Sequence, residues 1–197
     1  MDSIEQIIAR SLKGSIAAKE EFYRTEGEKI PTLVNLIVAV LRNNKKVLIF
    51  GNGGSAADAQ HMAAEFVNRF LIDRPPLAAI ALTTDSSILT SIGNDFSFDD
   101  IFVKQIQALG QKGDLALGIS TSGNSPNVVK GIQVAQKMGL QTVSLTGGTG
   151  GKLKELADLA INVPTKATPH IQEVHIWVEH LVCQLVDEVM FGELSGK

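Results

Sequence analysis

Gly118-Ile-Ser-Thr-Ser-Gly-Asn-Ser-Pro-Asn-Val128 follows the apolar run Asp114-Leu-Ala-Leu117, which reads as a buried strand. The strand runs into a hydroxyl-rich turn and then into a helix. Ser120, Thr121, Ser122 and Ser125 gather hydroxyls and the backbone N–H groups of a helix start around one point, which suits the oxygens of a phosphate. The ligand implied is a phosphate ester.

Four further strand-like runs share the chain with this one, at 46–50, 77–82, 141–145 and 159–163, the strand above occupying 115–119. Helical patterns separate most of them, and the runs are continuously apolar instead of alternating. That combination predicts an α/β fold, a three-layer α/β/α sandwich around a five-stranded parallel sheet. Ligands in such sheets sit at the carboxyl ends of the strands. Residues 2–44 carry helical spacing ahead of the first strand, with Pro31 placed for the first turn of a second helix. The last helix, from 171 to about 190, is expected to bury a stripe of Ile171, Val174, Val178, Leu181, Leu185 and Val189.

A chain of 197 residues holds one sizeable core, so a single domain over 1–197 is expected, with 1–44 a helical segment packed on it or at an oligomer interface. The net charge of −3, from 18 basic and 21 acidic residues, supplies no basic field for nucleic acid. The longest apolar runs fall far short of the ~20 residues that span a bilayer. The start, Met1-Asp-Ser-Ile-Glu-Gln6, lacks a leader pattern, and Cys183 is the single cysteine, so a cytoplasmic setting is expected.

After the first strand comes Gly51-Asn-Gly-Gly-Ser-Ala-Ala-Asp58, where glycine lets backbone approach a ligand closely. Gly51, Gly53 and Ala56 satisfy the loose dinucleotide pattern. That reading wants an acid at the end of the second strand; Asp85 lies two residues late, and the hydroxyl loop has no role in it. A Walker A loop fails too, because Thr146-Gly-Gly-Thr-Gly-Gly-Lys152-Leu153 lacks the leading glycine and the hydroxyl after lysine. It reads as a turn closing the fourth strand.

The helix leaving the glycine turn carries His61 and Glu65, one turn apart on one face. Such a pair is either a surface ion pair or a metal-ligand pair. On the last helix Gln172 and His180 lie two turns and about 80° apart, able to lean toward one pocket. His175 is read as a buried or interfacial histidine, Glu173 and Glu179 as a solvated face, and Cys183 as a packed thiol. Gly93-Asn94-Asp95 interrupts a helical pattern beyond the second strand, either as a capping turn or as part of the ligand edge.

The hydroxyl loop resembles the phosphosugar motif of the sugar isomerase (SIS) domain superfamily. With Gly51-Asn-Gly-Gly-Ser55, Asp58-Ala-Gln-His61, Glu65, Asn68-Arg69, Arg74-Pro75, Gly93-Asn-Asp95 and Ile171-Gln-Glu-Val-His175 in order, nearly the whole chain resembles the phosphoheptose isomerase family. The resemblance implies a flavodoxin-like or Rossmann-like SIS fold and the conversion of D-sedoheptulose 7-phosphate into D-glycero-D-manno-heptose 7-phosphate for lipopolysaccharide core or related glycans. It also implies a cytosolic homotetramer with one zinc ion per subunit. Carried onto this sequence, it assigns Glu65 and His180 to catalysis and His61, Glu65, Gln172 and His180 to the metal. Substrate contacts fall to Asn52, Gly53, Gly54, Ser55, Glu65, Asn94, Asp95, Ser120, Thr121, Ser122, Ser125 and Gln172. Moving a carbonyl between neighbouring carbons needs a base, for which Glu65 is suited, and an acid or metal at the enediolate oxygens. The chain departs from the family at Ala167-Thr-Pro-His170, where an arginine is usual before Ile171, and His170 offers a competing imidazole. The alternatives are a non-catalytic SIS regulator that binds a sugar phosphate or a protein such as the replication initiator, and an enzyme for another phosphosugar. Apolar surface on the terminal helices points to self-association.

Overall fold

Ser3 starts the first helix: its side chain accepts from the Gln6 N–H while the Gln6 side chain accepts from the Ser3 N–H, so two otherwise unpaired donors are satisfied at once. The computed structural model describes residues 2–192. Within it α1 spans Ile4–Glu26 and α2 spans Ile30–Arg42, the latter with Pro31 in its first turn as expected. The strands are β1 (Val47–Gly51), β2 (Ala79–Ala81), β3 (Leu115–Ser120), β4 (Gln141–Gly147) and β5 (Leu159–Val163). They form one parallel sheet in the order β2-β1-β3-β4-β5. The remaining helices are α3 (Gly54–Val67), α4 (Ser86–Asp95), α5 (Ile101–Leu109), α6 (Pro126–Lys137), α7 (Gly151–Leu156) and α8 (Thr168–Phe191).

Side chains of a strand alternate between faces, and both faces here are covered. Val47 and Ile49 enter a core shared with α1, α2, α3 and α8, whereas Leu48 and Phe50 enter one shared with α4, α5, α6 and α7. Every residue of β1 and β3 is buried, the reason those runs show no alternation in sequence. The three-layer expectation holds. Met1 and 193–197, which the expected single domain includes, lie outside the described residues.

Two element readings are corrected. The second strand covers 79–81, not 77–82: Pro75 and Pro76 have no N–H to pair, and the Leu77 N–H is spent on the Phe66 carbonyl at 3.0 Å. On α8 the buried stripe continues through Val182, Cys183 and Val186, while Leu181 and Leu185 are half-buried and Val189 is exposed. From Val178 a four-residue step keeps the stripe on the same face, whereas the three-residue step to Leu181 turns away from it.

The sheet order places β1 beside β3, with β2 on one side of the pair and β4 on the other. Strand order reverses there, so the connections leave in opposite directions and a crevice opens beyond the carboxyl ends of β1 and β3. The glycine turn follows β1 and the hydroxyl loop follows β3.

Candidate active site

An amide pair ties the two loops together. Asn52 Nδ2 donates to Asn127 Oδ1 at 2.8 Å, and Asn127 Nδ2 donates back to Asn52 Oδ1 at 2.9 Å. Asn127 also accepts from the Val128 N–H. Its importance was not legible in sequence, because the signal is a pairing with a residue 75 positions away.

Around this anchor the hydroxyls gather as expected. Ser120 Oγ lies 2.9 Å from Ser125 Oγ and 3.5 Å from Ser122 Oγ. Ser125 precedes α6 yet makes no side-chain cap bond, and its hydroxyl lies against Ser120 in the loop. In the first turn of α6 Pro126 has no N–H, the Val128 N–H is taken by Asn127 and the Val129 N–H by the Ser125 carbonyl. Gly123 holds the turn with φ +65°, and a Cβ there would come 1.9 Å from the Gly150 carbonyl oxygen. Asn124 extends the link, its Oδ1 accepting from the Lys152 N–H at 3.1 Å. The Thr146–Leu153 stretch is thus the turn after β4 that the sequence suggested, and it has a second role. Together with Thr121, Ser122, Thr165, Lys166 and Thr168 it lines a cleft of about 300 Å³.

Along the seam between α3 and α8, His61 Nε2 meets His180 Nε2 at 2.8 Å, and Glu65 Oε1 lies 3.7 Å from His61 Nε2. At most one of the facing nitrogens can carry a proton at that separation. The Phe70 ring stacks on His180 with centroids 5.5 Å apart, a contact that sequence did not suggest. Gln172 rests on the first residue of α3: a Cβ on Gly54 would fall 2.2 Å from Gln172 Nε2. The structure therefore joins His61, Glu65 and His180, and sets Gln172 about two turns toward the glycine turn. Among the described residues no three His, Cys, Asp or Glu side chains form a ready metal cluster. What the seam offers is two imidazole nitrogens turned to one point beside a carboxylate, a donor set that suits zinc.

Several expectations are corrected. Glu179 is buried, with neither carboxylate oxygen partnered, because α8 packs on α1, α2 and α3 together. Burial first, and then the neighbouring Asp58 charge, pushes its carboxyl well above the ordinary value. Asp58 is itself pushed up to about 6 by burial, against the pull of His61. His170 turns away from the imidazole pair toward Gly14 of α1, its Nδ1 3.0 Å from Glu173 Oε2. Beyond these corrections, Asn94 and Asp95 end α4 on the surface, where Asn94 Nδ2 donates to Asp95 Oδ1 at 2.8 Å. Asp85 caps α4 through the Ile88 N–H, which accounts for an acid near β2 without a ribose.

Two readings hold. His175 is a buried histidine whose Nε2 donates to the Thr146 carbonyl at 3.1 Å, and burial pushes its pKa down to about 4. Cys183 is a packed thiol whose pKa burial raises.

Residues 12–147 match the SIS domain family. The chain is 49% identical over 190 residues to the phosphoheptose isomerase of Nitratidesulfovibrio vulgaris (strain Miyazaki F), covering 96% of this chain and 91% of that one. Among solved structures, the phosphoheptose isomerase of Neisseria gonorrhoeae superposes with a TM-score of 0.90 at 43% identity, over 94% of this chain and 100% of that one. That of Francisella tularensis gives 0.91 at 37% identity, over 95% and 100%.

Proposed function

The chain belongs to the phosphoheptose isomerases of the SIS-domain family, and from that premise we propose that it converts D-sedoheptulose 7-phosphate into D-glycero-D-manno-heptose 7-phosphate. The observation that carries the mechanism is the meeting of Glu65, His61 and His180 along the α3–α8 seam. One end of that seam, Gln172 on Gly54, borders the glycine turn. A regulator that only binds sugar phosphate would need neither the acid nor the base, and both are present.

In this reading the phosphate lies against Ser120, Thr121, Ser122, Ser125 and the start of α6, and Asn52, Gly53, Gly54 and Ser55 orient the sugar. Asn52 is held for that task by Asn127. Glu65 takes the proton from the carbon next to the carbonyl and returns it to the neighbouring carbon. Its contact with His61 uses Oε1, which leaves Oε2 for the base. His180, fixed under Phe70, delivers a proton to the carbonyl oxygen and takes one back from the adjacent hydroxyl oxygen, which becomes the new carbonyl. Asn94 and Asp95, at the exposed end of α4, would meet substrate from outside the two loops.

The finer assignments are part of the same proposal. His61, Glu65 and His180 would hold zinc, one per subunit, with Gln172 at the glycine-turn end of the seam; when bound, zinc supplies a Lewis acid that steadies negative charge on the sugar oxygens. The apolar outer face of α1 supports a homotetramer. The single, buried, unpaired cysteine supports a cytoplasmic setting, where the product would feed heptose for lipopolysaccharide core or a related glycan. No helix among the described residues is long and apolar enough to cross a membrane.

The deciding experiment measures turnover of sedoheptulose 7-phosphate by the zinc-supplemented protein and by Glu65→Gln. Activity in the parent, lost in the variant with phosphosugar binding retained, is the expected result. Full activity in the variant would remove Glu65 from the role of base.

A further inference from the structure

The imidazole contact fastens the middle of the α3–α8 seam, and a buried guanidinium fastens the end opposite Gln172. The Arg74 side chain has no exposed surface, and Asp187 opposite it is 3% exposed. Arg74 Nε donates to Asp187 Oδ1 at 2.8 Å. Nη2 donates to the carbonyl of Glu65 itself at 2.8 Å, and Nη1 reaches the carbonyls of Phe66 (2.7 Å), Asn68 (3.3 Å) and Pro75 (3.2 Å). Because α3 ends at Val67, the carbonyls of Glu65 and Phe66 are among those that a helix leaves without an internal partner. A cation there also meets the negative end of the helix dipole.

Both helices carry the pull of this pair to the isomerase centre. Asp187 lies seven residues beyond His180, two turns and only about 20° around α8, so the two side chains leave the same face. On the α3 side the guanidinium grips the backbone of the proposed base. It also closes the segment between Asn68 and Arg74, which supplies Phe70, the ring stacked on His180. One side chain thus holds Glu65 by its carbonyl, His180 through Phe70, and α8 through Asp187. Lysine, with three donors on a point charge, cannot serve these acceptors from one plane.

We infer that Arg74 and Asp187 are positioning residues for the isomerase, fixing Glu65 and His180 at their working separation through the end of α3 and the Phe70 ring. The inference rests on the proposed isomerase reading. Displacing a reacting group by about an ångström from a distance can cost about a hundred-fold in rate.

The test compares Arg74→Lys, Asp187→Asn and the double variant Arg74→Met with Asp187→Leu. Apolar replacement of a buried pair is often neutral for stability, so the double variant separates position from folding. Steady-state kinetics well below each Tm are read beside the NMR resonances of the His180 imidazole, which sense the Phe70 ring current whether or not the enzyme turns over. The expected result is a kcat lower by about ten- to a hundred-fold, with KM within about two-fold and a displaced His180 resonance. Variants that melt lower but keep the parental kcat and His180 resonance would show a pair that serves stability alone, and would overturn the inference. Should Arg74→Lys not fold, Asp187→Asn decides, since it keeps the shape and one acceptor. A parent without turnover would defeat the isomerase reading and leave the His180 resonance to judge the clamp.

Discussion

His175 lies one turn beyond Gln172 on α8, and its ring is buried with a single hydrogen bond to the Thr146 carbonyl. Its ordinary pKa of 6.5 falls to about 4 in the folded chain because burial disfavours the charged ring. The unfolded state therefore takes up a proton first as the pH drops. The stability linked to this group is complete above about 6.5 and is lost as the pH falls toward 4. Asp58, raised from 3.8 to about 6, has the opposite sign: its contribution is present at low pH and lost as the pH rises through 6. The whole protein mixes both trends, so the prediction concerns a difference. The parent should lose up to about 3 kcal/mol relative to His175→Gln between pH 7 and pH 4, measured by urea unfolding at several pH values. A flat difference would mean that the ring is charged or solvated in the folded state. At the same scale Glu179 shows what local sequence hides. A glutamate on an amphipathic helix reads as part of a solvated face, and only the helices packed around it make it a buried carboxyl.

The loop after β3 is an element whose hydroxyls are plain in its composition and whose shape is enforced from outside. Ser120, Ser122 and Ser125 meet hydroxyl to hydroxyl, and the turn after β4 presses on Gly123 so closely that no side chain fits. Thr121→Ala with Ser122→Ala should raise KM for the phosphosugar with little change in kcat, because a phosphate contact made equally in ground and transition states is lost. Steady-state kinetics check this, and an unchanged KM would move the phosphate elsewhere. Gly123→Ala should do more. It forces a left-handed residue against the Gly150 carbonyl, so both a lower Tm and a higher KM are expected. Thermal melts and kinetics of the one variant test the two effects together.

At the scale of the molecule, α1 buries only Ala18 and Phe22. Its outer side presents Ile4, Ile7, Ile8, Leu12 and Ile16, with Tyr23 74% exposed. A row of large apolar side chains along one helix is the kind of surface that another protein copy covers. Ile8→Glu with Leu12→Glu should shift the sedimentation of the protein toward the monomer while leaving the helical circular dichroism intact. An unchanged sedimentation coefficient would place the interface on another face.

Much of the fold was legible because its signals are local. The strand-like runs at 46–50 and 115–119 coincide within a residue with strands covered on both faces, Pro31 opens α2, and the hydroxyl and glycine loops follow the strands that flank the crevice. Sequence alone thus determined the sandwich, the hydroxyl-rich composition of the β3 loop and the candidate pair on α3, since periodicity and composition act over a few residues. The tertiary structure decided which side chains meet. Asn127 finds Asn52, His180 finds His61, Gln172 settles on Gly54 and Arg74 grips Asp187, all over separations for which no local pattern exists. It also decided burial, turning His170 onto α1 and Glu179 inward. The physical reason is that a helix face is defined by the chain, but which neighbour covers it is defined by the packing of every other element around it.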